Sequence, residues 1–216
     1  MALLIAAIVA YGFGRTLDAK LIHPPTPRSA ILYVHAILFA SWVALFIAQT
    51  ALVRQHLVRW HRRLGMAGLV LGTAMPFVGA ATAVVTTKIN LQSGDRSAGA
   101  FLIFPFAYMV AFGVLFGLAA INRKRPEFHR RLMLTATCTL TVAAFARFPH
   151  FPIGVWDVCV DALILLGVGR DWIVTGLLHP VYRYALPALI VLQIATNATF
   201  FTGAAWWLPI AHVLLR

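Results

Sequence analysis

Trp60-His61-Arg62-Arg63-Leu64-Gly65 and Phe128-His129-Arg130-Arg131-Leu132-Met133 are the two stretches that decide the fold predicted for this chain. Each lies between apolar segments long enough to cross a bilayer. The repeated His-Arg-Arg-Leu order at equivalent places indicates a duplicated helical hairpin. It also collects imidazoles and guanidiniums at one membrane face, where a function is to be sought first.

The composition around these strings is that of an integral membrane protein. The chain has 216 residues, of which 61% are hydrophobic and 11% charged, and its mean hydropathy is +0.85. A chain of this composition is too apolar to be a soluble domain. Every connection between apolar segments is short, so we expect a single transmembrane domain over residues 1–216.

Apolar segments along the chain predict an all-α bundle of seven transmembrane helices. They lie at residues 1–14, 30–53, 66–87, 100–121, 132–148, 155–178 and 184–201. Helices two and three, and four and five, form the duplicated hairpins. Residues 15–28 are predicted as a loop because they hold three prolines, and residues 208–216 as an amphipathic surface tail. The first segment is short for a span, so a count of six stays open.

The net charge of +12 comes mainly from the turns between spans. Turns 54–63, 122–131 and 170–183 hold eleven of the 18 Lys and Arg residues. By the positive-inside rule this side faces the cytoplasm of a bacterial inner membrane. The partner implied is the lipid bilayer and not nucleic acid, since no basic patch with stacking aromatics lies outside the spans.

Histidines at matched depth predict a b-type haem. Two axial imidazoles must come from facing helices at equal depth, which allows His61 with His129 or His35 with His150. Interfacial anchoring is the alternative for His61 and His129. Arginines beside a helix N-terminus suit an anionic group such as a haem propionate. The candidates are Arg62, Arg63, Arg130 and Arg131.

A polar stripe runs along the second predicted span. His35, Trp42, Gln49 and His56 recur every seven residues, which places them on one slowly drifting helix face. Such a stripe is costly in a membrane unless it faces protein or a cofactor. Helix-to-helix hydrogen bonding by Gln49 is the simpler explanation.

Charged side chains also occur at the opposite end of the predicted bundle. Arg147 ends the fifth span, and Asp157 and Asp161 share a face of the sixth. A buried charge pair with Arg147 is the expected arrangement. The functional alternative is a proton or cation path in which Asp161 titrates. Gln193, Thr196 and Asn197 form a second polar patch, explicable by hydrogen bonds between helices.

The order of these features resembles an uncharacterised family of bacterial multi-span membrane proteins. The resemblance rests on His35, Trp42, Gln49, the strings 61–65 and 129–133, Arg147, Asp171 and Leu178-His179-Pro180. It covers nearly the whole chain and implies the fold. The histidine placement is loosely similar to that of membrane b-type cytochromes and of small oxidase assembly factors.

Three functions follow from these patterns. The first is electron transfer by a bound b-type haem. The second is a non-catalytic subunit or assembly factor of a respiratory or photosynthetic complex, or a homo-oligomer, without any cofactor. The third is a small-molecule or proton-coupled transporter. No hydrolase or nucleotide-binding motif occurs, so no catalytic residue is assigned and enzymatic activity is left open.

Overall fold

The computed structural model describes residues 1–24, 27–203 and 205–215, which are mostly helical and contain no β-strand. The helices are α1 (Ala2–Leu17), α2 (Ala30–Arg54), α3 (Val58–Gln92), α4 (Ala98–Phe101), α5 (Ile103–Ile121), α6 (Pro126–Leu140), α7 (Val142–Phe145), α8 (Val155–Thr175), α9 (Pro180–Thr202) and α10 (Trp207–Leu214). A π-helical turn, Asp18–Ile22, follows α1, and a 3₁₀ turn, Asn122–Lys124, follows α5. The all-α prediction is confirmed.

Among the described residues, five helical segments are long and apolar enough to span a membrane, which indicates a membrane protein. They are Ala2–Ile22, Ala30–Arg54, Val58–Gln92, Ala98–Lys124 and Pro180–Thr202. Large apolar side chains such as Val70, Phe77 and Ile173 point outward from the helices. The remaining two predicted spans are less apolar or shorter, since α8 carries four charged residues and α6 has 15 residues.

The first helix is longer than the sequence predicted. Residues 15–22 were expected to be loop, but helical structure continues through Arg15 to Ile22. The prediction was wrong because proline restricts only itself and the residue before it, so prolines at 24 and beyond leave the preceding turns free. Pro25 and Arg216, within the predicted loop and tail, lie outside the described residues.

Helices α2 and α3 form a tight hairpin. The predicted turn 54–63 is too long, because residues 58–63 belong to α3; only residues 55–57 separate the two helices, which are in contact. His56 lies in this turn with a φ of 60°, so it leaves the helix face that it was predicted to share with His35, Trp42 and Gln49. The stripe therefore has three members, because α2 ends at Arg54.

Two predicted spans contain short breaks. A break at Leu102 precedes Pro105, which has no N–H to offer the carbonyl of Phe101. A second break, at Thr141, separates α6 from α7. There the Thr141 hydroxyl donates to the Cys138 carbonyl (2.6 Å), and the Thr139 hydroxyl donates to the Ala136 carbonyl (2.7 Å). Such bonds to the backbone carbonyls of the preceding turn bend helices.

Glycines of α3 allow neighbouring helices to approach closely. A Cβ on Gly72 would lie 2.4 Å from the Phe116 ring of α5, and one on Gly79 would lie 2.4 Å from Met109 Sδ. Helix association in lipid depends on such close packing, because lipid tails are as apolar as the side chains. The resulting core of α2, α3 and α5 centres on Trp42, Met75 and Phe112.

Gly12 provides a test of the packing of α1 on α7. A Cβ at this position would lie 2.5 Å from the Ala144 carbonyl oxygen, which is backbone and cannot move aside. We expect Gly12→Ala to destabilise the fold by about 1–3 kcal/mol, the usual cost of overpacking. Thermal unfolding in a mild detergent measures this loss.

Gly14→Ala is the matched control, since a Cβ there meets nothing within 4 Å. It should unfold at or slightly above the wild-type temperature, because alanine favours helix. Equal melting temperatures for the two variants would contradict the α1–α7 contact.

Candidate functional site

His61 and His129 lie side by side at the end of the bundle that carries the basic turns. Their ring centres are 6.4 Å apart and the ring planes are inclined at 82°. His61 is in the first turn of α3, and His129 in the first turn of α6. The structure therefore brings together one of the two histidine pairs that the sequence allowed. We call it the histidine pair.

The His129 ring is fixed by the end of the preceding helix. Its Nδ1 is 2.9 Å from the carbonyl oxygen of Ala119, one of the last four carbonyls of α5, which lack a partner within the helix. A carbonyl can only accept, so Nδ1 carries the proton and donates. In the neutral ring, Nε2 is then the unprotonated nitrogen, with a lone pair available to a ligand.

His61 has a related environment on the other hairpin. Its ring lies beside the backbone of Gln49, near the end of α2. Its Nδ1 is buried and has no hydrogen-bond partner among the described residues, and the same is true of Oε1 of Gln49. The Gln49 amide also lies against Gly65 of α3, within 3.5 Å of where a Cβ would stand. Two buried polar atoms near the histidine pair are thus unsatisfied.

Trp42 and His35, the other two members of the α2 stripe, are buried to different extents. Trp42 is 2% exposed and packs edge-on against Phe112 and Phe116, with ring centres 5.3 and 5.6 Å away. His35 stacks on Phe39 at 4.1 Å. Trp42 Nε1 and His35 Nδ1 are also buried without a partner in the described part of the chain. The stripe therefore packs on protein but is not satisfied by it.

The second sequence-derived pair, His35 with His150, is not brought into contact. His150 is exposed in the segment after α7, with a φ of 63°. No ring contact joins it to His35 within the described residues.

Four arginines were predicted to hold an anion, and the structure separates them into two groups. Arg62 and Arg63 are exposed, with the Arg63 guanidinium 5.3 Å from the Trp60 ring centre. Arg130 is partly exposed and pairs with Glu127 at 2.7 Å. Arg131 is only 3% exposed.

Arg131 is held by two carboxylates. Its Nε donates to Asp171 of α8, which is 4% exposed, and its Nη1 donates to Glu127 at 2.5 Å. The hydrogen bond from Arg131 lowers the pKa of Glu127 below its ordinary value. Arg131 therefore ties α6 to α8 and is committed to a structural ion pair, in contrast to the exposed Arg62 and Arg63.

Arg147 does not pair with Asp157 or Asp161, so the predicted charge pair is wrong. Its guanidinium lies 4.1 Å from the Phe13 ring centre and donates to the Ala143 carbonyl. The break at Thr141 and the short helix α7 direct Arg147 toward α1, because α7 packs on α1. A face of the Phe13 ring can stabilise the cation there.

Asp157 and Asp161 are instead part of a hydrogen-bonded group that joins three helices. The Tyr108 hydroxyl of α5 donates to Asp157 Oδ1, and Asn197 Nδ2 of α9 donates to Asp157 Oδ2 at 2.6 Å. Gln193 Nε2 donates to Asp161 at 3.1 Å and to the Tyr108 oxygen at 3.3 Å. We call these five residues the carboxylate network.

The network confirms the predicted hydrogen bonding of Gln193 and Asn197 between helices, but it includes a residue that sequence reasoning missed. Tyr108 is 2% exposed. In the sequence, Tyr108 stands out because it places a hydroxyl group within the apolar run of α5. A buried tyrosine hydroxyl needs a hydrogen-bond partner.

No protein-family model, curated protein or solved structure matches this chain.

Proposed function

We propose that this protein binds a b-type haem in a bacterial inner membrane, with His61 and His129 as the axial ligands, and that it takes part in electron transfer. The observation that carries the proposal is the separation of the two rings, 6.4 Å between centres. A bound haem would supply one-electron chemistry, and the protein would set its position and charge environment.

The separation of the histidine pair suits two imidazoles on opposite sides of one metal. An imidazole nitrogen lies about 2.0–2.1 Å from a first-row metal such as zinc, and the ring centre lies roughly 1 Å behind the nitrogen. With similar bonds to iron, two axial rings would have centres about 6–6.5 Å apart. The observed distance falls in this range.

The protonation of His129 also fits. Ligating histidines usually donate their second ring N–H to a carboxylate, carbonyl or water, which orients the ring and raises the basicity of the ligating nitrogen. The Ala119 carbonyl performs this role for His129. On the other hairpin the His61 ring lies beside the Gln49 backbone, but its buried Nδ1 has no hydrogen-bond partner among the described residues, so His61 lacks the corresponding bond.

The similar placement of the two histidines supports the predicted duplication of the helical hairpin. In each hairpin a histidine in the first turn of the second helix lies against backbone near the end of the first helix. Helices α2 and α3 then correspond to α5 and α6. Each hairpin would contribute one histidine to the same haem. Under the positive-inside rule this centre is on the cytoplasmic side of seven spans.

Exposed cations next to the pair would hold the anionic edge of the haem. Arg62 and Arg63 are available for this, since both are exposed. Arg130 is also exposed, but it already pairs with Glu127. Arg131 is left out because Asp171 and Glu127 already accept from it. His35 and His150 are left out because they do not form a pair.

Spectroscopy of the purified protein tests this function. Full-length protein produced in haem-sufficient cells should show a Soret band, and the pyridine haemochrome assay should give one haem b per chain. A preparation with no Soret band would sink the proposal. Co-purification with a respiratory or photosynthetic complex in that case would favour the subunit or assembly-factor function.

A further inference from the structure

We propose that the carboxylate network is a proton-binding site, with Asp161 as the group that takes up and releases the proton. The network lies at the end of the bundle opposite the histidine pair. Asp157 is near the beginning of α8, and Asn197 is near the end of α9. Its function is independent of haem binding.

The two carboxyls have no positive partner. Asp157 is 6% exposed and Asp161 is half-buried. Within the described residues, no Lys, Arg or His nitrogen lies within 4.0 Å of either carboxyl. Two uncompensated negative charges packed against the long apolar helices α5 and α9 are costly, so a proton or a bound cation must offset at least one of them.

The hydrogen bonds of the network leave one buried acceptor without a donor. Asn197 Nδ2 donates both to Asp157 and to the Gln193 carbonyl, at 2.6 and 2.8 Å. Because a backbone carbonyl can only accept, the amide orientation of Asn197 is settled. The atom left over is Asn197 Oδ1, an acceptor that is fully buried and has no partner in the described part of the chain. The network thus has too few donors for its acceptors.

The distribution of donors assigns the proton to Asp161. Asp157 accepts from Tyr108 and from Asn197, so each of its two oxygens has a donor. Among the described residues, Asp161 accepts only from Gln193. A carboxyl that has one donor and faces a neighbouring carboxylate is the one that holds the proton.

The surroundings of Asp161 contain few titratable groups. Asp157 lies one turn away on α8, and Tyr108 reaches the network from α5. Helices α6, α7 and α9 place no acidic or basic side chain within ion-pair distance, among the described residues. Val158, Ala162 and Leu165, one turn or less from Asp161, are exposed on the surface of α8. Asp161 is therefore at the edge of the bundle, where a small apolar reagent can reach it.

The hydrophobic reagent dicyclohexylcarbodiimide tests the proposal, because it enters the apolar phase and reacts with protonated carboxyls. We expect the full-length protein to form one stable adduct per chain, located at Asp161 by mass spectrometry. Labelling should fall as the pH rises. It should be lost in Asp161→Asn, whose folded state is checked by circular dichroism.

Asp157→Asn is the matched variant, and it separates proton binding by Asp161 from a purely structural role of the network. It retains Asp161, so labelling should persist. Removal of the neighbouring negative charge favours ionisation of Asp161, so labelling should disappear at a lower pH than in the wild type. Replacing choline chloride by sodium chloride should change nothing.

Three results would overturn the proposal. They are absence of an adduct at Asp161 in the wild-type protein, full labelling of Asp161→Asn at another carboxyl, and protection by sodium at constant pH. The last would identify a sodium site in place of a proton site. The haem content of the same preparations does not enter any of these outcomes.

Discussion

Alanine at His129 is expected to abolish haem binding, and alanine at His61 to do the same. Each substitution removes one of the two nitrogens that the proposal assigns to the haem iron. Loss of an outer hydrogen-bonding group alone costs about 10–100-fold in metal affinity, so loss of a ligand should lower haem per chain by more than about tenfold. The ratio of Soret absorbance to protein concentration measures the effect.

His150→Ala is the control for these variants. It removes an exposed imidazole that contacts no member of the histidine pair, and it should keep the wild-type haem content. His35→Ala should also retain haem, with altered packing on Phe39. Loss of haem in His150→Ala together with its retention in His129→Ala would contradict the ligand assignment.

Asp171→Asn is expected to give the largest loss of stability. The substitution leaves the buried guanidinium of Arg131 without the carboxylate that it contacts through Nε. Removal of one partner costs about 3–5 kcal/mol when the buried charge is left uncompensated. Glu127 still accepts from Nη1 of Arg131, so we expect a loss near the lower end of that range. We expect a marked fall in the thermal unfolding temperature in detergent.

Arg170→Gln provides the comparison for this pair. Arg170 contacts the same carboxylate at 3.5 Å, but its side chain is 63% exposed. Exposed ion pairs contribute about 0–1 kcal/mol, so its unfolding temperature should stay close to that of the wild type. Similar losses in both variants would show that Asp171 does not act through Arg131.

The α2–α3 hairpin shows what the sequence could predict. The second span was predicted over 30–53, and α2 covers Ala30–Arg54. Long apolar runs and basic turns suffice for such an element, because each half satisfies its backbone internally. The proximity of His61 to His129 was also predictable, since both follow similar turns at the same depth.

The carboxylate network shows what the sequence could not predict. Arg147 was expected near Asp157, but the break at Thr141 points it toward Phe13. Helix direction after a break depends on local hydrogen bonds between side chain and backbone, which periodicity does not reveal. Tyr108 joins the network across 49 residues of sequence, and only packing of α5 on α8 and α9 brings it there.

Electron paramagnetic resonance of the oxidised, purified protein tests the central claim most directly. Two imidazole ligands give low-spin ferric iron, and ring planes inclined at 82° should give the large principal g value typical of nearly perpendicular axial imidazoles. This signal should be lost in both His61→Ala and His129→Ala. A high-spin, five-coordinate signal in the wild type, or no haem iron signal at all, would contradict ligation by this pair.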